Sequence, residues 1–410
     1  MIALVEVTVT DMVGLNERGA FAGLIALAWA TGTVAGPIMG GAIAERTSWR
    51  WIFYINIPVV VIVVIGIYFF LTLKRKTESL KEKLQRIDVL GVIVFVGSST
   101  SFLFGLTAGG VLYPWNSANV IVPMVVGILG MIGFWAIEEY FAKEPMMPMR
   151  VFKGRTALAG YISTWVHGLL LWAIIYFALL WCQAVLVHST LQAGVDALPI
   201  TLTSAPSAAI AGVIMTLTLR FRSTVWIGWV LTVISCGLFT LLSPETTTAQ
   251  RVGYLIVMGV GTGVLFPAVQ FAVQAGQPDE DVAIATSTFV FLRSLGQTFG
   301  VAISGTIFQN QWDKNMANLI AEGAIPPAFQ VPGNQAEGAV IYLSQLPPAV
   351  LATARQLYSD SLRTVWIFFI PLAGIALIAS LFMKNYSLDK VLNSAQAFDE
   401  GRHETENVNV

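Results

Sequence analysis

The sequence predicts an all-α polytopic membrane protein, and three observations lead to this fold class. Hydrophobic residues make up 56% of the 410 residues, and charged residues make up only 11%. A soluble domain usually has roughly 25% charged residues. The mean hydropathy is +0.72. Apolar stretches of about 20 residues, the length that crosses a bilayer core of about 30 Å, recur along the whole chain.

Ten stretches have the length and apolar character of a membrane-spanning helix. A helix suits the bilayer because it satisfies all of its backbone hydrogen bonds internally. The predicted spans are Ala20–Ala44, Trp51–Leu73, Val89–Ala108, Val120–Phe141, Ala157–Gln183, Gly194–Leu217, Val225–Leu242, Val252–Gln274, Val282–Phe308 and Val365–Phe382. Before them, Met1–Thr10 is apolar but only about half the length of a span. It has neither the basic start nor the cleavage site of a secretory signal, so we interpret it as the stump of a longer helix.

Basic residues divide unevenly between alternate connections. One side holds sixteen of the 23 Lys and Arg residues, whereas the short loops of the other side hold only Arg46, Arg50 and Arg251. Because Lys and Arg favour the cytoplasmic side of a membrane, the first side is predicted to be cytoplasmic. This side includes both the segment before Ala20 and the polar tail after Phe382. Two ends on the same side require an even number of spans between them, which fits the ten predicted spans.

The connection Gln309–Thr364 is predicted to be a long outer loop. Pro326, Pro327, Pro347 and Pro348 lie within it. Proline interrupts the interior of a helix because it lacks the backbone N–H. We therefore expect only short helical pieces in this loop, resting on the membrane surface.

Several classes of function lack a sequence signal. Cys182 and Cys236 lie in or at the end of spans, which supports neither a disulfide framework nor a metal cluster. No Gly-x4-Gly-Lys-Ser/Thr loop occurs, so ATP is not expected as a partner. The spans hold no paired catalytic carboxylates and no nucleophile beside a base, so the chain is not expected to be an enzyme. Neither a cofactor nor a nucleic acid partner is expected.

A ridge of small residues marks the first span. Gly32, Gly36 and Gly40 recur every four residues and therefore share one side of a helix, which Gly41 widens. Such a face allows another membrane helix to pack at close range. Pro37 removes a helical hydrogen bond, which predicts a bend. Simple close packing explains a lone pair of spaced glycines, but the full Gly-x3-Gly-Pro-x2-Gly-Gly string is more specific.

Five segments resemble one family of transport proteins. Thr31–Gly41 resembles the antiporter motif in the fifth span of major facilitator drug:proton antiporters, and Ser48–Pro58 resembles the start of their sixth span. Tyr113–Trp115, Gly194–Pro199 and Phe291–Gly300 extend the similarity over nearly the whole chain. The third and fourth predicted spans resemble the central insertion of the fourteen-span, fungal-type branch of this multidrug efflux family.

The resemblance implies a domain organisation in which the ten spans are numbers five to fourteen. Residues 1–73 would be the remnant of the N-terminal bundle, with the stump of span four and spans five and six. Residues 74–156 would be the two-span insertion, 157–384 the C-terminal six-helix bundle and 385–410 a cytoplasmic tail. The family's first four spans have no counterpart, so we expect an N-terminal truncation, either from a late start of the gene model or in a natural fragment.

Arg293 is the main candidate for a functional residue, because a charge at membrane depth is costly unless it faces a cavity or a partner. It lies about 18 Å into its predicted helix, near the midplane. Gly296, Gln297 and Gly300 follow on the same face. The side chain is therefore expected to point into the bundle. A structural role, bonded to carbonyls of neighbouring helices, and a role in substrate or proton coupling fit equally well.

His167 lies at a comparable depth, and a histidine that titrates near neutral pH would be able to carry a coupled proton. A structural, hydrogen-bonded His is the alternative. Tyr176, with Trp165 and Trp172, is expected on the opposite face, as a packing or lipid-facing surface or as a wall for flat substrates. Weaker candidates for the pathway are Gln183, Gln270 and Asn56. The acidic turn Asp279–Asp281 is expected to be solvated.

Together these features predict a secondary transporter that exports small organic compounds, driven by protons and using alternating access. Its partners would be the lipid bilayer, a small organic substrate and protons. A membrane protein that binds a ligand or partner without transporting it is the alternative, as is a siderophore or amino-acid transporter of the same superfamily. The resemblance to this family favours a location in the plasma membrane over one in the vacuolar membrane.

Overall fold

The structure, a computed structural model, describes residues 18–70, 88–142 and 145–384, together with Val5, Thr8 and Tyr386. Most of the predicted stump Met1–Thr10 and of the tail 385–410 lies outside the described residues. The helices are α1 (Arg18–Arg46), α2 (Trp51–Tyr54), α3 (Asn56–Phe70), α4 (Val89–Ala108), α5 (Ala118–Tyr140), α6 (Arg155–Val185), α7 (Thr190–Asp196), α8 (Leu198–Thr218), α9 (Arg222–Phe239), α10 (Thr248–Ala275), α11 (Val282–Ala321), α12 (Gly333–Ala339) and α13 (Pro348–Leu381). Short 3₁₀ segments lie at Met149–Phe152, Asp279–Asp281, Pro327–Phe329 and Val340–Gln345.

The helical membrane fold predicted from composition is confirmed. Among the described residues, 8 helical stretches are long and apolar enough to cross a membrane. Helices α1 and α11 occupy the first and ninth predicted spans and have 29 and 40 residues, but they are not among the 8. The total of ten spans therefore stays a prediction.

The connection between the last two long helices is shorter than the sequence predicted. Helix α11 continues through Gln309 to Ala321, and α13 begins at Pro348. The expectation that proline would leave only short pieces in Gln309–Thr364 was wrong, because Pro348 stands in the first turn of α13, where its missing N–H has no helical partner to lose. Only residues 322–347 form the connection, and within it the helical segments are short, as expected: Pro327–Phe329, Gly333–Ala339 and Val340–Gln345.

Helix α6 lies at the centre of the C-terminal bundle. It packs against α10, α11 and α13, and α10 also packs against α8 and α9. Leu169 and Leu170, in the middle of α6, are fully buried. Trp181, Trp229 and Trp366 are among the largest fully buried side chains and come from three different helices. These side chains fill the core that holds the six long helices together.

Helices α4 and α5 form a hairpin that packs on α11. The rings of Phe95 and Phe291 have centroids 5.0 Å apart, and those of Phe102 and Phe299 stack at 5.7 Å. The hairpin is thus joined to the C-terminal bundle along one helix.

The turn between α4 and α5 carries the Tyr-Pro-Trp segment and is bonded to the same helix. Trp115 Nε1 donates to Asn310 Oδ1 at 3.1 Å, and Asn310 Nδ2 donates to the carbonyl of Gly109 at 3.1 Å. The turn passes through Gly110, whose φ of 74° favours glycine. Asn310 therefore joins both sides of the turn to α11.

The N-terminal helices make uneven contacts with this bundle. Helix α1 packs along α8 and against the short α7. The stretch Trp51–Phe69, which includes α3, has 0% of its most apolar window buried. Its side chains, from Ile57 to Phe69, are therefore presented outward, as a surface that suits lipid or another helix.

Candidate functional site

Helices α6 and α11 approach each other closely because glycines line their contact. A Cβ on Gly300 would lie 2.8 Å from Leu169 Cα, and one on Gly168 would lie 3.2 Å from Arg293 Cα. At Gly296 an added Cβ would meet the backbone nitrogen of Leu169 at 3.1 Å. The contact is therefore made backbone against backbone, as small residues permit in membranes.

Arg293 is buried in this contact region, with a relative exposure of 3%. Its guanidinium carbon lies 4.3 Å from the ring centroid of Phe266 on α10 and 4.7 Å from that of Phe289, one turn earlier on α11. Aromatic faces attract a cation at these distances. The prediction that Arg293 points into the bundle is confirmed. Arg293 lies about 17 Å along α11 from Val282, and its position near the membrane midplane stays a prediction.

His167 reaches the same depth from α6, about 18 Å from Arg155. The side chain is 2% exposed, and Nε2 lies 3.0 Å from the carbonyl oxygen of Thr262 on α10. Because a carbonyl only accepts, the proton is on Nε2, and Nδ1 is the nitrogen able to take up another. The imidazole centroid lies 6.3 Å from that of Phe266, the ring that the Arg293 guanidinium also contacts.

Two of the predicted glutamines share faces with these residues. Gln270 lies four residues after Phe266 and eight after Thr262, on one face of α10. Gln297 lies four residues after Arg293, and both glutamines are half-buried. We call one group of residues the mid-depth site: His167, Arg293, Phe266, Phe289, Gln270 and Gln297.

The other predicted pathway residues lie elsewhere. Tyr176 is 42% exposed, and its hydroxyl donates to Glu337 at 2.6 Å, so it belongs to the end of the bundle near the connection 322–347. Gln183 is half-buried near the end of α6. Asn56 is exposed at the start of α3 and donates to the carbonyl of Ile52 in the preceding helix α2. The structure does not bring these three residues to the mid-depth site.

The glycine ridge of α1 is uncovered within the described part of the chain. Its three members are Gly32, Gly36 and Gly40. No described atom lies within 4 Å of a Cβ added at any of them. Gly41 is different, because an added Cβ would lie 3.0 Å from Leu191 Cα on α7. Helix α1 is continuous through Pro37, whose side chain lies outside the described residues, so the predicted bend is not seen as a break.

Ion pairs lie at both ends of the bundle, and no sequence pattern predicted them. Asp196 contacts Arg251 at 3.0 Å and His188 Nδ1 at 2.5 Å, and Arg150 contacts Asp281 at 2.8 Å. The Asp281 side chain is only 8% exposed, so the expectation of a solvated acidic turn was wrong for this residue. Arg251 pairs with a residue 55 positions away, a distance that no local pattern reveals.

The described residues present no candidate metal centre. They contain no group of three or more His, Cys, Asp or Glu able to hold an ion. Cys182 and Cys236 are both buried and free.

A bundle of apolar helices that buries a cation at membrane depth is typical of a membrane transporter, since such charges mark substrate and ion pathways. The sequence comparisons name the family. A model of the Major Facilitator Superfamily matches residues 1–301, and the chain belongs to this superfamily.

Relatives of this chain are fungal transporters. MFS transporter L2 of Phoma sp. is 38% identical over 401 residues, which cover 98% of this chain and 67% of that protein. The Acurin A biosynthesis cluster MFS-type transporter of Aspergillus aculeatus is 37% identical, covering 95% of this chain and 71% of its own length. Efflux pump FUS6 of Gibberella moniliformis is 35% identical, covering 100% of this chain and 73% of its own length. The similarity to transporters and efflux pumps agrees with the family expected from the motifs.

Proposed function

We propose that this membrane transporter exports small organic compounds in exchange for protons, by alternating access. The observation that carries the proposal is the mid-depth site, where a buried arginine and a buried histidine come from two helices that meet backbone to backbone. Substrate sites of such transporters lie near the bilayer midplane, between bundles that rock around them. The efflux pumps among the relatives support the outward direction.

In this proposal, proton coupling uses His167 and the neighbouring charge of Arg293. Nε2 of His167 is held by the Thr262 carbonyl, which leaves Nδ1 to take up a proton. A proton there would place a second cation beside Arg293, and like charges in a poorly solvated site repel. Proton uptake would therefore weaken the binding of a cationic substrate and strengthen that of an anionic one. This competition is the step that would link proton entry to substrate release.

Drugs, toxins and secondary metabolites are the proposed substrates. The name of the Aspergillus aculeatus relative ties that protein to a biosynthesis cluster, which favours a fungal product among them. The half-buried ring of Phe266 and the half-buried amides of Gln270 and Gln297 suit a flat molecule with a few polar groups. We place the protein in the plasma membrane, with its C-terminus in the cytoplasm.

The test is transport in sealed vesicles with an imposed pH gradient and rhodamine 6G as the fluorescent amphiphile. Movement that depends on the gradient is expected for the unaltered chain. Arg293→Ala is expected to lower the rate about tenfold or more, whereas Arg293→Lys keeps a charge and retains more of it. Arg363→Ala is the matched control, because Arg363 is exposed on α13.

Three results would contradict the proposal in different ways. Dye binding without movement would make the chain a ligand-binding protein that does not transport. Dye movement that does not depend on the pH gradient would show that transport is not coupled to protons. Unchanged transport in both Arg293 variants, each shown to be folded by size-exclusion chromatography, would assign Arg293 a purely structural role. His167→Gln, which can still donate to Thr262 but cannot take up a proton, separates the coupling role from the structural one.

A further inference from the structure

The short helix α7 occupies a special place between α1 and the C-terminal bundle. It follows α6, precedes α8 and packs against α1. The contact with α1 is very close, since a Cβ on Gly41 would lie 3.0 Å from Leu191 Cα and 3.1 Å from its backbone nitrogen. Gly41 is the last residue of the glycine motif, so the motif meets the bundle at α7.

The last residue of α7 is fixed from two sides. The Asp196 carboxylate accepts a hydrogen bond from Arg251 Nη2 at 3.0 Å, and its other oxygen contacts Nδ1 of His188 at 2.5 Å. The side chains of Asp196 and Arg251 are only 9% and 8% exposed. Asp196 thereby ties three elements together: α7, the first turn of α10 and the connection that leaves α6.

A buried ion pair of this kind positions helices more than it stabilises the fold. The cost of removing both charges from water offsets much of their attraction, but removal of one partner leaves a buried charge uncompensated. A small change at Asp196 should therefore release α7 while the apolar core around Trp181 and Trp229 stays intact. All three residues of the network lie at the end where α6 ends and α8 and α10 begin.

We propose that α7 is a latch at the outer end of the transport pathway and that Asp196 is the positioning residue that holds it closed. This inference rests on the proposed function and on the outer location that the basic residues predict for this end. With Asp196 bonded to Arg251 and His188, α7 lies against Gly41 and joins α1 to the C-terminal bundle. Loss of these bonds lets α7 move away from α1 and opens the pathway outward.

The experiment measures the exposure of α7 directly. Ala193 is fully buried on α7, so Ala193→Cys reports the opening of the latch in a background where Cys182→Ala and Cys236→Ala remove the native thiols. A membrane-impermeant maleimide is added to the outside of intact cells, and the labelling rate is followed. Asp196→Asn is expected to raise this rate about tenfold or more, because it breaks a buried ion pair. Asp196→Glu, which keeps the charge, is expected to restore most of the protection.

Matched variants make the result decisive. Asp281→Asn breaks the ion pair with Arg150 at the opposite end and is expected to leave the labelling of Ala193→Cys unchanged. An equal rise in this control, or no rise in a folded Asp196→Asn protein, would overturn the latch. If Asp196→Asn does not fold, His188→Ala decides the question, because alanine has no side-chain donor for Asp196. It removes one contact and is expected to raise the rate about fivefold, the effect of a single hydrogen bond; an unchanged rate would overturn the proposal.

Failure of the latch and failure of the proposed function can be told apart. Labelling needs neither substrate nor gradient, so it tests the latch even if no dye moves in the vesicles. Conversely, the dye could move in response to the proton gradient while Asp196→Asn leaves the labelling rate unchanged. That result would support the transport proposal and contradict only the role of Asp196.

Discussion

At the scale of single residues, glycines set the geometry of the mid-depth site, because they have no side chain to keep two helices apart. Gly168, Gly296 and Gly300 let α6 and α11 meet backbone to backbone, which brings Arg293 and His167 to the same depth. The sequence marked Gly296 and Gly300 as neighbours of Arg293 on one helical face. It gave no means to identify Leu169 or Gly168 as the surface opposite, since those residues are more than 120 positions away.

The first prediction concerns Gly296. Gly296→Ala places a Cβ 3.1 Å from the Leu169 nitrogen and closer still to the Trp165 carbonyl, so the two helices must separate. We expect a loss of about 1–3 kcal/mol of stability, the usual cost of overpacking. The measurement is thermal unfolding in detergent.

Gly374→Ala is the control for this prediction. Nothing lies within 4 Å of a Cβ added at this residue of α13, so alanine meets no neighbour among the described atoms. The change should leave the melting temperature equal or higher, because alanine favours a helix over glycine by about 1 kcal/mol. Equal behaviour of the two variants would show that the close contact of α6 and α11 does not exist in the folded protein.

The polar residues of the site were predictable only in part. The cost of a charge in a membrane singles out Arg293 and His167, and both are buried as expected. Phe266 and Phe289, which stack on the guanidinium, carry no signal among the 24 phenylalanines of the chain. Tyr176 gave a misleading signal, because its partner Glu337 lies in the connection between α11 and α13.

At the scale of helices, apolar runs fix the membrane segments but not their extensions. Val89–Ala108 was predicted to the residue, and α11 begins at Val282 as expected. The sequence analysis assigned two helical extensions to a loop: the polar residues from Gln309 to Ala321 and the segment 348–364. Hydropathy identifies only apolar helices, so it does not detect polar extensions of this kind. The extensions are held by packing outside the apolar runs, such as Trp312 against Tyr358 at 4.4 Å.

The second prediction tests the docking of the α4–α5 hairpin. Asn310→Ala removes the bonds to Trp115 and to the Gly109 carbonyl, at a cost of about 1–3 kcal/mol. Hydrogen exchange of the turn 106–115 should therefore become faster, while exchange in the core of α6 stays slow. Trp115→Phe removes a single donor and should have a smaller effect.

Thr298→Ala is the matched control for the hairpin. Thr298 lies on the same helix as Asn310, is exposed and bonds only its own helix, at the carbonyl of Ser294. Exchange in the turn should be unchanged in this variant. A turn that exchanges equally fast in all variants would mean that the ring contacts of Phe95 and Phe102 alone hold the hairpin on α11.

At the scale of the whole molecule, the two kinds of contact fit two different tasks. Glycine and aromatic contacts join α4, α5, α6 and α11 along their lengths, and such packed interfaces resist change. Ion pairs instead lie at the two ends of the C-terminal bundle, at Arg251 and at Arg150. A bundle that stays rigid inside and breaks bonds only at its ends is able to move as one body, which is what alternating access requires.

The last prediction concerns the orientation of the molecule, on which the outer location of the latch depends. Only the distribution of Lys and Arg supports this orientation. Glu245 is exposed between α9 and α10, at the predicted outer end, and Lys153 is exposed before α6, at the predicted cytoplasmic end. With the native cysteines replaced, Glu245→Cys should react with an impermeant maleimide in intact cells, and Lys153→Cys only after the cells are permeabilised. The reverse pattern would place Asp196 and Arg251 at the cytoplasmic face, turn the latch into an inner one and require import in place of export for the same sequence of proton steps.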